Sequence, residues 1–173
     1  MRSLALIVCL AAALLLVPAA GAGADSAGRR TTSLEAALLQ EVNAVRAARG
    51  LSSLKRSGGL SRAADLHTVA MLKAGVFAHE IPGAPSLEQR LTRFYVGDRH
   101  AWSAGENLGL FGPAQPSARS VVAAWLASPP HRANLLAKGW RDAGISVRFA
   151  PIPGGRLGAD PCWLITLDLG RRS

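Results

Sequence analysis

Three short polar segments of this 173-residue chain carry side chains that could do chemistry together. They are His79 in Phe77-Ala78-His79, Glu106 in Gly105-Glu106-Asn107, and His131 in Ser128-Pro129-Pro130-His131-Arg132-Ala133-Asn134. Their surroundings are apolar, so one site built from three separated segments is the economical reading. Two imidazoles and a carboxylate could hold Zn²⁺ or another divalent ion and leave a fourth position for water. The ion would draw that water's pKa toward ~7 and make hydroxide available for hydrolysis. The spacing lacks the helical H-E-x-x-H signature, so only the tertiary fold could bring these donors together.

Each residue also has a purely structural reading. His79 could close the end of the preceding helix by bonding a carbonyl. Glu106 could accept backbone N–H groups, with Gly105 and Asn107 shaping the turn into a strand, and Asn107 reads as a structural amide. Ser128 with His131 forms Ser-x-x-His on one turn without an orienting acid, which fits an N-cap better than a nucleophile. His131 and Arg132 could pack over Trp125. His67 falls mid-helix and His100 in a loop, and neither is assigned to the site.

The elements that must position these groups are partly legible. Thr32 stands three residues before Glu35, a capping-box pattern, and Leu34, Leu38, Val42 and Val45 follow at helical spacing up to Gly50. A second helix is expected from about Leu60, with Ala63, Leu66, Ala70 and Met71 on its apolar face and Gly75 as its stop. Residues 80–102 read as loop with a short helix at 86–94. Ser117 could cap a helix carrying Val121, Val122, Ala124 and Trp125, and Ser128 a fresh turn with Pro129 and Pro130 at its first positions. Strand-like runs at 143–149 and 162–169 flank a Gly- and Pro-rich hairpin loop.

Residues 1–24 read as a signal peptide: Arg2, an apolar run over 4–17, and the small-x-small site Ala22-Gly23-Ala24. That run is shorter than the ~20 residues of a spanning helix, so no transmembrane span is expected in the mature chain. Residues 25–33 read as a flexible tail and 34–170 as one domain. Cys162 would be the sole cysteine left after cleavage, which precludes an intramolecular disulfide, and its apolar setting marks it as a buried small hydrophobe. The formal charge is +9, carried mainly by scattered arginines without interleaved aromatics, so nucleic acid is not expected as a partner.

With Trp125-Leu126-Ala127-Ser128 and Gly144-Ile145-Ser146-Val147 added in order, the segments resemble the CAP superfamily. These are the secreted domains of cysteine-rich secretory proteins, antigen 5 and pathogenesis-related proteins, and the likeness is strongest to small bacterial members. Asn43 and Arg46 match the family's Asn-x-x-Arg. The resemblance spans 34–170 and implies an α+β fold, a three-layer α-β-α sandwich with a small antiparallel sheet. It further implies a groove that gathers two His and two Glu, sometimes around a metal ion. His79, Glu106 and His131 match three of those positions. The second Glu has no counterpart, since Ala127 and Ser128 follow the helix Trp.

The leading expectation is therefore a secreted, monomeric binding module of the extracellular space or cell envelope, rather than an enzyme. Its groove would comprise His79, Glu106, Asn107, Ser128 and His131, and its ligand would be a small molecule, a lipid or an envelope component. The alternative is a divalent-metal hydrolase or peptidase, with His79 and His131 as ligands and Glu106 as base or third ligand. A third reading uses the basic surface alone, in an interaction that weakens as salt rises. A fold by itself transfers no ligand.

Overall fold

The structure is a computed structural model that describes residues 21–97, 101–151 and 160–173. Residues 1–20, which hold most of the expected signal peptide, lie outside the described residues, as do His100 and most of the expected hairpin loop. In chain order the elements are α1 (Gly21–Ala47), β1 (Lys55–Arg56), α2 (Gly58–Ala74) and α3 (Leu87–Leu91). A π-helical turn (Thr92–Val96), β2 (Trp102–Phe111), α4 (Ala118–Ala127), α5 (Pro129–Leu136), β3 (Asp142–Pro151) and β4 (Pro161–Arg172) follow. No described helix is long and apolar enough to cross a membrane.

The sheet has the order β1-β3-β4-β2. β4 pairs antiparallel with both neighbours along their whole length, and β1 adds two residues in parallel to β3. The sheet is thus mixed, with one short parallel strand beyond the antiparallel three. Side chains alternate across a pleated strand, and β4 uses both faces. Trp163, Ile165, Leu167 and Leu169 join α1 and α4 in one core with Val42, Val122 and Trp125. Cys162 and Leu164 face α2, where Met71, Ile81 and Leu108 complete a second apolar cluster. Helices on both faces of a central sheet make the three-layer α+β sandwich.

The α2 layer is where polar groups concentrate. Thr166 bonds Thr68 at 2.8 Å, and Glu106 and Asp168 are buried on the same face, paired directly across β2 and β4. α2 starts two residues before the expected Leu60, with the Ser57 hydroxyl accepting from the Leu60 N–H, and ends as expected at Gly75, in the left-handed region (φ 66°). Its buried face is Leu60, Ala63, Ala64, His67, Thr68 and Met71, so Leu66 and Ala70 are turned partly outward. The face is rotated because Gly144 of β3 admits the helix so closely. A Cβ there would strike the backbone of Leu60 and Ser61.

α1 begins upstream of the expected start, and residues 25–33 carry helical backbone. The Thr32 capping box does not form. Its hydroxyl bonds the Gly28 carbonyl inside the helix, while Glu35 reaches β3 and accepts the Val147 N–H at 3.1 Å. Asn43 clamps the backbone of Leu54 in both directions, and buried Arg46 donates to the carbonyls of Ser52, Leu135 and Ala137. The Asn-x-x-Arg pair therefore ties α1 to the approach of β1 and to the end of α5.

Candidate functional site

His79 and His131 lie close together, with ring centroids 6.4 Å apart and planes tilted by 46°. The His79 side chain is 54% exposed, whereas the Glu106 side chain behind it is only 3% exposed. The segment carrying His79 leaves α2 at Gly75 and is pinned by His67, whose Nε2 lies 3.1 Å from the Ala78 carbonyl. β2 supplies Glu106, whose Oε1 lies 2.7 Å from His79 Nδ1. A carboxylate accepts, so Nδ1–H donates and Nε2 is the nitrogen turned away from the bond.

Arg90 holds the back of this arrangement. Ser86 and Gln89 close a capping box around α3 and fix the helix that carries it. One guanidinium nitrogen contacts both His67 Nδ1 (3.0 Å) and the Pro85 carbonyl (3.2 Å), and the other pairs with Glu106 Oε2. Arginine only donates, so His67 Nδ1 must accept, and His67 is the neutral Nε2–H tautomer that donates to Ala78. Asp168 completes the cluster from β4. It is fully buried, and neither of its oxygens has a hydrogen-bond donor among the described residues.

Each titration follows from these contacts. The bond to Glu106 raises the His79 pKa above its ordinary value, against a smaller opposing effect of burial. Burial lowers His131, and the charge of His79 lowers it further. His67 is lowered chiefly by burial, with Arg90 adding to the effect and Glu106 opposing it. Burial and then the nearby Glu106 charge push the Asp168 carboxyl well above the usual range. Behind the two histidines lie the buried side chains of Arg90, Glu106, His67 and Asp168.

His131 is delivered by α5. Pro129 and Pro130 open that helix, and Ser128 occupies its N-cap position without a side-chain cap bond. No hydrogen bond joins Ser128 to His131, so no nucleophile–base pair forms there. Asn107 points to the opposite sheet face from Glu106 and donates to the His131 carbonyl at 3.0 Å. Asn134 donates to both Asn107 Oδ1 and the Glu106 carbonyl, and Trp125 Nε1 covers the Leu108 carbonyl. These bonds cover the otherwise open edge of β2 and fix α5 against it.

Of the five residues singled out in the sequence, His79, Glu106 and His131 form the cluster, Asn107 braces it, and Ser128 stands at the helix start. The sequence reading left out His67, Arg90 and Asp168. His67 carried a signal, since it continues the spacing of Leu60, Ala63 and Met71. Asp168 carried another as the lone charge in an apolar strand. Arg90 had none.

The donors were tested against a metal ion. No group of three His, Cys, Asp or Glu side chains among the described residues is arranged to hold one. The Glu106 oxygens are engaged by His79 and Arg90, which leaves the two imidazoles. With Zn–N bonds of ~2.0–2.1 Å, two histidines on one tetrahedral ion place their ring centroids about 5 Å apart. The observed 6.4 Å is wider than that, so the rings would have to draw together to share an ion. A carboxylate behind one ring is also the usual support of a metal-bound histidine. As they stand, the two imidazoles are the only side-chain donors left for an ion among the described residues, and Glu106 would be the orienting group behind His79.

Comparison with solved structures gives the same architecture. An extracellular protein containing an SCP domain from Bacillus anthracis superposes with a TM-score of 0.66 at 24% identity, over 90% of this chain and 44% of that one. An outer surface protein from Borrelia burgdorferi superposes with a TM-score of 0.59 at 19% identity, over 79% and 90% of the two chains. A cysteine-rich secretory protein from Staphylococcus aureus gives 0.52 at 20% identity, over 79% and 39%. The chain thus spans less than half the length of the first and third of these proteins. The search of curated proteins gives no match. The profile of the CAP family, described as the cysteine-rich secretory protein family, matches residues 39–151, more than half of the 173. With the sandwich, the ordered motifs and this match in agreement, the chain belongs to the CAP family.

Proposed function

We propose that this protein is an exported CAP binding module whose groove engages its ligand through His79 and His131, acting as a monomer outside the cell or at the cell envelope. The observation that carries this reading is the pairing of two accessible imidazoles above a buried, oriented charge cluster. The extracellular and outer-surface descriptions of the Bacillus and Borrelia neighbours support the location. In this reading Glu106 orients His79, Arg90 fixes Glu106, and Asn107 and Asn134 hold α5 so that His131 faces its partner ring. The ligand class is a small molecule, a lipid or an envelope polymer with a group that accepts from, or donates to, imidazole. Co-sedimentation with purified peptidoglycan and with phosphatidylglycerol vesicles tests it. The protein should pellet with one of these matrices, and the His79→Ala/His131→Ala double variant should stay in solution. Pelleting with neither, or equal pelleting of the double variant, would reject the groove as the binding surface.

The second reading is a divalent-metal hydrolase or peptidase. It is favoured by the carboxylate-oriented His79 beside a second imidazole, which together would hold the ion. An ion bound there would activate a water. Glu106, 3% exposed and tied to Arg90, is badly placed to serve as base. Turnover of a fluorogenic casein that rises with Zn²⁺ and disappears with chelator would move the proposal to this reading.

A further inference from the structure

The outward face of α2 carries a stripe of its own. Arg62, Leu66 and Val69 fall at i, i+4 and i+7, outside the buried face of that helix. Together with Phe94 of the π-helical turn they line an open trough of about 610 Å³ beside β3. Phe94 abuts the first turn of α2, where a Cβ on Gly59 would strike its carbonyl oxygen. The β3 edge alongside is closed, since Ile145 and Val147 are buried and Glu35 accepts the Val147 N–H, so the trough offers side chains and no free strand. Its charges do not balance. Three guanidinium groups, Arg56, Arg62 and Arg148, stand against two carboxylates, Glu35 and Asp65. Arg56 pairs with Glu35, and Arg148 pairs with Asp65, which also accepts from the Ser146 hydroxyl. Arg62 is exposed and has no carboxylate partner among the described residues. Arg93, whose guanidinium lies 5.0 Å from the centroid of the Phe94 ring, has none either.

We propose that this trough binds a compact apolar anion, an aromatic or medium-chain body carrying one carboxylate or sulfonate. Small-molecule sites combine an apolar wall with a few placed polar groups, and the trough has both, at a size within their usual range. Arg62 and Val69 stand two helical turns apart, roughly 10 Å, which is about the length of a substituted naphthalene or an octyl chain. The surplus guanidinium of Arg62 meets the anion, whose paired oxygens suit its fork of donors. Leu66 and Val69 pack along the body, and the Phe94 ring stacks on it or meets its edge. Arg93 over that ring adds a second uncompensated cation close by. Selectivity follows from the same groups: an uncharged body forfeits the contact with Arg62, and a cationic one meets repulsion from both arginines. The site shares no residue with the His79–His131 pair and does not depend on the function proposed for it.

The test is a fluorescence titration with 8-anilinonaphthalene-1-sulfonate, and with N-phenyl-1-naphthylamine, the same body without the charge. The sulfonate should saturate at one per chain in the micromolar range, and the uncharged dye should bind at least tenfold more weakly. Arg62→Glu should weaken the sulfonate at least tenfold and leave the uncharged dye unaffected. Arg119→Glu makes the same charge change at an exposed position on α4 and should bind as the parent does. Leu66→Ser/Val69→Ser should lose both dyes while keeping the parent's far-ultraviolet circular dichroism, which separates a lost wall from a lost fold. The His79→Ala/His131→Ala variant should bind both dyes normally. Equal affinity for the two dyes, or sulfonate binding that Arg62→Glu leaves unchanged or that Arg119→Glu weakens as much, overturns the site. Loss of binding in the histidine double variant would move the anion to those residues and also overturn it.

Discussion

Arg90 pairs with buried Glu106, acts on the Asp168 carboxyl beside it and sets the tautomer of His67. Removing one partner of a buried ion pair leaves an uncompensated charge, so Arg90→Leu should cost about 3–5 kcal/mol of stability, measured by urea denaturation. Arg90→Lys should recover only part of that, since a point charge cannot bridge His67, Pro85 and Glu106 together. Asp168→Asn should behave in the opposite way. A carboxyl whose folded pKa is raised contributes stability only below its unfolded value of about 3.9 and loses it as pH rises toward the folded value. The neutral amide avoids that loss, so the variant should match or exceed the parent at neutral pH. The histidines separate in the same manner. His79 is raised, so its contribution is complete below about pH 6.5 and fades as pH climbs through its folded value. His67 and His131 are lowered, so theirs is present above about pH 6.5 and is lost as pH falls through their folded values. An NMR titration in chelator should find His79 with the highest pKa of the three, and Glu106→Gln should bring it down.

At the scale of elements, close approach decides what local pattern cannot. Gly144→Ala would place a methyl on the backbone of α2, where no side chain can yield. The expected cost is about 3 kcal/mol, with α2 and the His67 it carries displaced. A thermal melt together with His67 chemical shifts checks this, and an unchanged melt would mean that α2 does not lie so near. Asn134→Ala removes the bonds to Glu106 and Asn107, and should cost about 1–3 kcal/mol while loosening α5 and His131. These cases also show what the sequence could reveal. The start of α4 was legible because Ser117 caps through its own side chain, and Gly75 marked the stop of α2 for a similarly local reason, whereas the Ser57 cap of α2 was not singled out. The face of α2 was read one position off, because Leu66 and Ala70 fit a helical stripe as well as His67 does, and only Gly144 on a distant strand selects between them. Thr32 and Glu35 formed a plausible cap until β3 supplied an N–H for Glu35. β2 was read only as a strand of unstated bounds entered at Gly105-Glu106-Asn107, since its glycines and Glu106 break the apolar alternation that announces a strand.

At the scale of the whole molecule, the sandwich explains how three scattered segments form one site. β2 and α5 bring Glu106 and His131 to one side, α2 ends beside them, and β4 lays Asp168 underneath. The family resemblance implied that convergence, and Asp168, on the strand opposite Glu106, sets a second buried carboxyl beside it. Stability rests on the packed layers, as the buried thiol of Cys162 indicates. Alkylation of Cys162, read by mass spectrometry, should occur only once the protein unfolds. The most direct test of the site is a calorimetric Zn²⁺ titration of the chelator-treated protein at neutral pH, with the ion as a probe of whether His79 and His131 converge. The account predicts one ion per chain at micromolar affinity, lost in His79→Ala and in His131→Ala, and weakened about 10–100-fold in Glu106→Gln. No binding, or binding that survives both histidine substitutions, would contradict it.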